Sequence, residues 1–189
     1  SLKSALFPID RTNISLGLTN LRNTGCIAGY GSLEFLIFDL SNGRPVMNKQ
    51  VGSGGLFNSF FSQCSNIVPY SFYFSYNSIN SRKVAADFFD NLPNGHVIVM
   101  VNFSTTTTNN QFIDSWMQDT LVNGSGKSLY HKLKNVGISF VDSIKRNLPF
   151  YAIASKDNFG MWSTHVQGVG VTPNDILTSS WIFKHLSNQ

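Results

Sequence analysis

Charged side chains are scarce in this chain. Only 13% of its 189 residues are Asp, Glu, Lys or Arg, which is about half of the usual share. The 14 basic and 10 acidic residues give a net charge of +4, and the basic ones are scattered instead of forming a stripe with interleaved aromatic residues. We therefore expect no binding to nucleic acid. Solubility must depend on neutral polar residues, a balance that is common in extracellular and virion-surface proteins and unusual in cytosolic enzymes.

Long apolar runs and clustered cysteines are lacking as well. The longest uninterrupted apolar run has five residues, whereas a helix that crosses a bilayer needs about 20, so neither a signal peptide nor a membrane span is expected. The two cysteines, Cys26 and Cys64, allow one disulfide or none, and a bridge and two buried free thiols are both compatible with the sequence. Neither cysteine has a neighbour at zinc-ligand spacing, and the four histidines are isolated. The sequence therefore predicts no metal and no other cofactor.

Motifs for nucleotide binding and hydrolysis are also missing. The glycine-rich segment 52–55 lacks the Gly-Lys-Ser/Thr ending of a phosphate-binding loop, and segment 124–128 has that ending but carries Leu121 where the first glycine is needed. A Gly-x-Ser-x-Gly hydrolase motif does not occur. Asp87 and Asp90 lie on the polar face of a predicted helix and do not suggest a catalytic pair. We expect a protein without enzymatic activity, and a hydrolase of an unfamiliar type is the alternative.

The most informative segment that is present runs from residue 82 to residue 104. Val84, Phe88 and Leu92 recur every four residues and predict a helix with one apolar face. The sequence Pro93-Asn-Gly95 ends that helix. Residues 97–101 form an unbroken run of apolar, mostly β-branched residues, which is typical of a strand buried on both faces.

The rest of the chain predicts further strands and helices of one domain. Residues 33–40 predict a strand that ends in a hairpin turn at residues 41–43 and is followed by a return strand over residues 45–51. Aromatic residues crowd segment 56–74, where a core role is favoured over a sugar-stacking face. The other predicted elements are strands at 14–18, 71–76, 150–155 and 166–171, helices at 112–122 and 128–135, a turn at 156–160, and a closing strand or helix at 176–186.

The order and spacing of these elements resemble the ILEI (interleukin-like EMT inducer) domain family. The matching pieces are Gly29-Tyr-Gly31, Leu33–Leu40, Asn42-Gly43, Arg44–Val51, Val84–Leu92, Asn94-Gly95, Val97–Val101, Leu129–Leu133, Val136-Gly-Ile138 and Phe150–Ser155. The resemblance covers residues 25–160 and implies an α+β protein with a compact β-β-α fold, in which two antiparallel sheets pack together with flanking helices. Residues 1–24 then form an N-terminal strand or arm. Residues 161–189 form a C-terminal extension that packs on or extends the same domain.

The resemblance also implies a function. Members of the family are secreted or surface-exposed and non-enzymatic, and some act as cytokine-like factors. The related stem domain of a protein O-mannose N-acetylglucosaminyltransferase binds sugar. The chain departs from the family pattern in four ways. Ser104 and Thr105 replace the acidic residues that often follow the central strand, and the Arg-Asp-x-Trp turn before the last strand is retained only as Arg146. The family's extra cysteines are absent, and the chain after about residue 159 does not match.

The leading functional hypothesis is an extracellular recognition module that binds a glycan or a cell-surface receptor. A specific version is the receptor-binding tip of a phage tail fibre or a cell-surface fibre, used for host attachment. Sugar sites combine an aromatic face with planar polar groups. The candidate ligand-binding residues are Asn102, Ser104, Thr105 and Arg146, expected to converge at the ends of neighbouring strands, with Trp116 or Trp162 as a stacking platform.

Three alternatives to this interpretation remain open. Both tryptophans are also compatible with a role as core anchors. The chain is also compatible with a structural domain that forms homo-oligomers through segment 56–74, and with a secreted cytokine-like factor.

Overall fold

Helices and strands are mixed in the structure, a computed structural model that describes residues 2–4, 13–16, 19–20, 32–48, 55–59, 70–103, 113–144, 148–172 and 175–179. Within these ranges the strands are β1 (Leu2–Ser4), β2 (Asn13–Leu16), β3 (Thr19–Asn20), β4 (Ser32–Asp39), β5 (Ser71–Ser75), β6 (His96–Phe103), β7 (Phe150–Lys156), β8 (Trp162–Val169) and β9 (Leu177–Ser179). The α-helices are α1 (Ile79–Asn91), α2 (Thr120–Asn123) and α3 (Leu129–Val136), and 3₁₀ segments lie at Leu56–Asn58, Ile113–Asp119 and Val141–Ser143.

Five antiparallel strands form the main sheet, in the order β5-β4-β6-β7-β8. Strand β6 lies at its centre, where Val99 pairs with Leu36 of β4 and with Ile153 of β7. The apolar run 97–101 is buried on both faces of the sheet, as its composition predicted. Ile98 and Met100 point to the face that carries the helices, and the valines at 97, 99 and 101 point to the other face.

Helix α1 packs on the first of these faces. Its N-terminus is fixed by a capping box between Ser78 and Ser81, so the helix begins five residues before the first residue of the predicted apolar face. Phe88 lies 4.5 Å from Phe35 of β4, measured between ring centroids. At the other end, Lys156 Nζ donates to the carbonyl of Leu92 at 2.8 Å, which places a positive charge where the helix dipole favours one. The predicted helix and its end before residue 93 are confirmed.

Helix α3 begins as predicted, with Ser128 as its N-cap, and ends at a left-handed Gly137. The predicted amphipathic helix over 112–122 is wrong in detail. The chain forms a 3₁₀ segment and then the single turn α2. A 3₁₀ segment repeats every three residues, so Trp116 and Asp119 turn inward together, whereas Met117 and Leu121 are exposed.

The predicted return strand over 45–51 is also corrected. Pro45 makes one isolated bridge to Phe38, and the described residues after it, 46–48, form no strand. Asn48 is buried, and its side chain binds backbone groups of Leu56 and Ser71. The neighbours of β4 in the sheet are therefore β5 and β6, as the register shows.

The short strands near the two ends of the chain pair antiparallel in the order β3-β2-β1-β9. Strand β8, which lies in the predicted C-terminal extension, is the fifth strand of the main sheet. The structure thus establishes mixed helices and strands with one five-stranded antiparallel sheet. The packing of two sheets against each other remains a prediction, and both cysteines, Cys26 and Cys64, lie outside the described residues.

Candidate functional site

The candidate site derived from the sequence lies at the end of β6, and Asn102 is its one polar side chain within the described residues. Asn102 is only 1% exposed. Its Nδ2 donates to the Leu148 carbonyl at 2.6 Å, and its Oδ1 accepts from the Phe150 N–H at 2.7 Å. The amide therefore satisfies two backbone groups where β7 begins, which is a structural role. Ser104, Thr105 and Arg146 lie outside the described residues.

The two candidate tryptophans pack against other side chains. Trp116 is 3% exposed, and its ring lies 5.3 Å from that of Tyr76 and 5.6 Å from the Arg82 guanidinium carbon. It therefore presents no open face on which a sugar could stack. Trp162 is partly buried, and its ring contacts the edge of Phe89 at 5.9 Å. Both placements support the interpretation of these residues as core anchors.

Three turns meet at the opposite end of β6, and we call residues 39–44, 93–96 and 156–161 the turn cluster. The Gly95 N–H donates to the Lys156 carbonyl at 2.8 Å, and the Gly95 carbonyl accepts from the Leu40 N–H at 2.9 Å. Asn94 Nδ2 donates to the Asn158 carbonyl at 3.1 Å. These contacts join the three turns into one surface.

The third turn is held by the carboxylate of Asp157. Its Oδ1 accepts from the backbone N–H groups of Phe159 and Met161, both at 2.8 Å, as Asp does in tight turns. The Asp157 N–H in turn donates to the Met161 carbonyl at 2.9 Å. The result is a tightly hydrogen-bonded turn on which Phe159 is 91% exposed and Met161 is 67% exposed.

Glycine is required where the second and third turns touch. Gly95 has a φ of +74°, and a Cβ at this position would lie 2.9 Å from Asn158 Oδ1. A side chain here would be strained by its backbone conformation, and its Cβ would displace the Asn158 side chain. The Asn-Gly pair at 94–95 therefore fixes the relative position of the exposed Asn94, Asn158 and Phe159.

The first turn adds a carboxylate, Asp39, which interacts with His96 of the second turn. Asp39 accepts from the Ser41 N–H at 2.8 Å and from Asn42 Nδ2 at 2.9 Å. The hydrogen bonds from Ser41 lower the pKa of Asp39, with a smaller contribution from the charge of His96. His96 Nδ1 lies 2.9 Å from the Asn94 carbonyl, so this nitrogen must carry a proton. The turn cluster thus offers an exposed ring beside the amide groups of Asn94 and Asn158.

Two serine–histidine contacts occur elsewhere, and neither has the geometry of a hydrolase. Ser128 Oγ lies 2.7 Å from His131 Nδ1, but Ser128 is fully buried as the N-cap of α3. Ser155 Oγ lies 2.8 Å from His165 Nε2, but Ser155 belongs to the regular strand β7 and not to a strained turn. Among the described residues, no group of three or more His, Cys, Asp or Glu side chains is placed to hold a metal ion.

A second exposed apolar group lies on α2 and the residues before it. Leu121 is 88% exposed, and Met117 and Val122 are also exposed. This group carries no aromatic ring and lies beside the glycine-containing turn that follows α2. No helix in the described part of the chain is long and apolar enough to cross a membrane.

The sequence predicts the elements of the turn cluster but not that they form one site. Residues 41–43, 93–95 and 156–160 were each predicted to be turns, but nothing in a single sequence places them side by side. One signal was present: a Phe inside an Asp-Asn-Phe-Gly turn must point outward, since such turns lie on the surface.

Comparison with known proteins gives no further guide to this site: the chain matches no protein-family model, and no curated protein is significantly similar to it.

Proposed function

We propose that this chain is a non-enzymatic recognition module of the ILEI-like type that acts outside the cell, on a cell or virion surface, and binds a glycan or a cell-surface receptor. In this proposal two antiparallel sheets pack together, as in that family, and the turn cluster contacts the ligand. The observation that carries the proposal is Phe159, which is 91% exposed on a turn held by Asp157. Together with Met161, which is 67% exposed on the same turn, Phe159 forms an exposed apolar surface beside polar residues, and such a surface is typical of a binding site.

The chemistry around Phe159 favours a neutral, hydroxyl-rich ligand. An aromatic ring stacks on the apolar face of a pyranose, and amide side chains donate to and accept from its hydroxyls. Asn158 precedes Phe159 in the turn, Asn94 contacts that turn through the Asn158 carbonyl, and both asparagines are exposed. The third turn carries the carboxylate of Asp157, and the first turn of the same cluster carries that of Asp39, while Lys156 Nζ is directed to the end of α1. We therefore expect neutral sugars to bind better than anionic ones.

The strength of such a site can be estimated. One aromatic contact contributes about 0.5–1.5 kcal/mol beyond its buried area, and each neutral hydrogen bond contributes about 0.5–1.5 kcal/mol. A ring and two amides therefore support binding near the millimolar range, where the free energy is about −4 kcal/mol. Weak single sites of this kind suit a protein that is presented in several copies, as at the tip of a tail fibre, because avidity then raises the effective affinity.

The test is a screen of the purified protein against a dense glycan array, with three variants. Phe159→Ala should lose at least about nine-tenths of the signal, a tenfold effect that corresponds to one strong contact. Leu121→Ala, which removes an equally exposed apolar side chain on α2, should bind like the unmodified protein. Both should keep the thermal unfolding midpoint of the parent, since these side chains are exposed.

The third variant, Arg146→Ala, distinguishes binding at the turn cluster from binding at the site predicted from the sequence. His96 and Asn102 lie six residues apart on β6, about 20 Å, so the turn cluster and the site first predicted are distinct surfaces. Loss of binding in Arg146→Ala with full binding in Phe159→Ala would place the ligand at the end of the sheet predicted from the sequence. A silent array for the unmodified protein would contradict glycan binding itself.

A further inference from the structure

Acceptor sequences for N-linked glycans, Asn-x-Ser/Thr sequons, occur in this chain at Asn13, Asn102 and Asn123. A glycan is bulky and hydrated, so its acceptor normally lies on the surface. Asn102, in contrast, belongs to β6, the central strand of the main sheet, and is 1% exposed. The sequon Asn102-Phe-Ser104 therefore specifies a modification at a position that the fold buries.

The surroundings of the Asn102 side chain leave no room for a sugar. In the sheet, Asn102 pairs with Leu33 of β4, which is fully buried. Its Nδ2 donates to the Leu148 carbonyl at 2.6 Å, and its Oδ1 accepts from the Phe150 N–H at 2.7 Å. Leu148 and Phe150 are buried themselves. Both ends of the amide are thus held by backbone groups in the interior.

N-glycosylation acts on Nδ2, the atom that donates to Leu148. Nδ2 forms a bond to the anomeric carbon of the sugar, the bond from that carbon to a lipid diphosphate breaks, and one amide proton is lost. The sugar ring, which is larger than the Asn side chain itself, would then lie among buried residues. The only other solution is to turn the amide outward, which removes the side chain from the Leu148 carbonyl and the Phe150 N–H. Breaking hydrogen bonds of buried groups in this way is costly.

We propose that glycosylation of Asn102 and folding of this chain exclude each other, so that in a compartment that glycosylates proteins the sequon lowers the yield of folded chain. The folded protein carries an unmodified amide at Asn102. This exclusion does not depend on ligand binding. Its consequence for the route to the surface does rest on the function proposed above: the exclusion favours a virion assembled in the cytosol over a secreted cytokine-like factor.

The test is secretion of the protein from a eukaryotic cell behind a cleavable signal peptide, with glycan occupancy measured by peptide mass spectrometry. The background variant, Ser15→Ala with Ser125→Ala, keeps only the sequon at Asn102. Adding Ser104→Ala removes that sequon, whereas Ser104→Thr changes the same residue and retains it. The secreted yield with Ser104→Ala should be at least about fivefold that with Ser104→Thr, because cells degrade chains that do not fold. The secreted protein should carry no glycan on Asn102, and the retained chains should carry one.

A second measurement leaves residue 104 unchanged and so does not depend on how its substitution folds. Blocking synthesis of the lipid-linked glycan should raise the secreted yield of the background variant to that of the same protein with Ser104→Ala. Three outcomes would overturn the proposal: a secreted protein that has a glycan on Asn102 and the urea midpoint of the unglycosylated chain, equal yields with Ser104→Ala and Ser104→Thr, or no gain in yield when glycan synthesis is blocked. None of them depends on the glycan array, so this proposal and the recognition function can fail separately.

Discussion

Asn102 provides the sharpest test of the structure, because a binding role and a structural role predict opposite results. If the residue contacts a ligand, Asn102→Ala weakens binding and leaves stability unchanged. If it satisfies buried backbone groups, as the structure shows, the same change lowers the free energy of unfolding. The Leu148 carbonyl and the Phe150 N–H would both lose their hydrogen bonds to the side chain, and both residues are buried.

The size of this effect follows from the two backbone groups that lose the Asn102 side chain as a partner. Each buried polar group deprived of its hydrogen bond costs about 1–3 kcal/mol. The two together give about 2–6 kcal/mol, and a water that enters the small space left by the amide would bring the value toward the lower end. We expect about 3 kcal/mol, a large fraction of the 5–15 kcal/mol that holds a typical domain together.

Urea unfolding followed by circular dichroism measures this directly. Asn102→Ala should move the unfolding midpoint to lower urea without changing the slope of the transition. Asn158→Ala is the matched control, because its side chain is exposed on the third turn, and it should change the free energy of unfolding by less than about 0.5 kcal/mol. A loss below about 1 kcal/mol in Asn102→Ala would refute the two-bond argument.

Two further predictions concern ionisable groups. Asp119→Ala leaves the mostly buried Arg82 without the carboxylate that it contacts at 2.6 and 2.9 Å, so the free energy of unfolding should fall by about 3 kcal/mol, and equal urea midpoints for variant and parent would contradict this. Burial lowers the pKa of His165 in the folded state, so the unfolded chain takes up its proton first. The contribution of neutral His165 to the free energy of unfolding is fully present above the pKa of the unfolded chain, about 6.5. It is lost as the pH falls through the lowered pKa of the folded state. In His165→Gln the unfolding midpoint should therefore change less between about pH 7.5 and 5 than it does in the parent. An equal change in both proteins would contradict this prediction.

Local sequence patterns predicted the central elements because local chemistry decides them. Residues 97–101 are a strand since their side chains suit burial on both faces, and α1 ends before Pro93 since proline cannot continue it. The sequence offers Ser125 and Ser128 as N-caps of the second helix, and Ser128 is the one that caps α3. These features need no knowledge of distant residues.

The features that the sequence does not predict depend on contacts between residues far apart in the chain. Asn102 resembled an exposed polar residue at a strand end, but its partners lie 46 and 48 positions away. Met117 and Leu121 fit a helical period in the sequence. Asp119, however, pairs with Arg82, which lies 37 positions earlier, and residues 113–119 form a 3₁₀ segment instead of an α-helix. The turn cluster depends on three turns separated by about 50 and 60 residues, and only the sheet order brings them together.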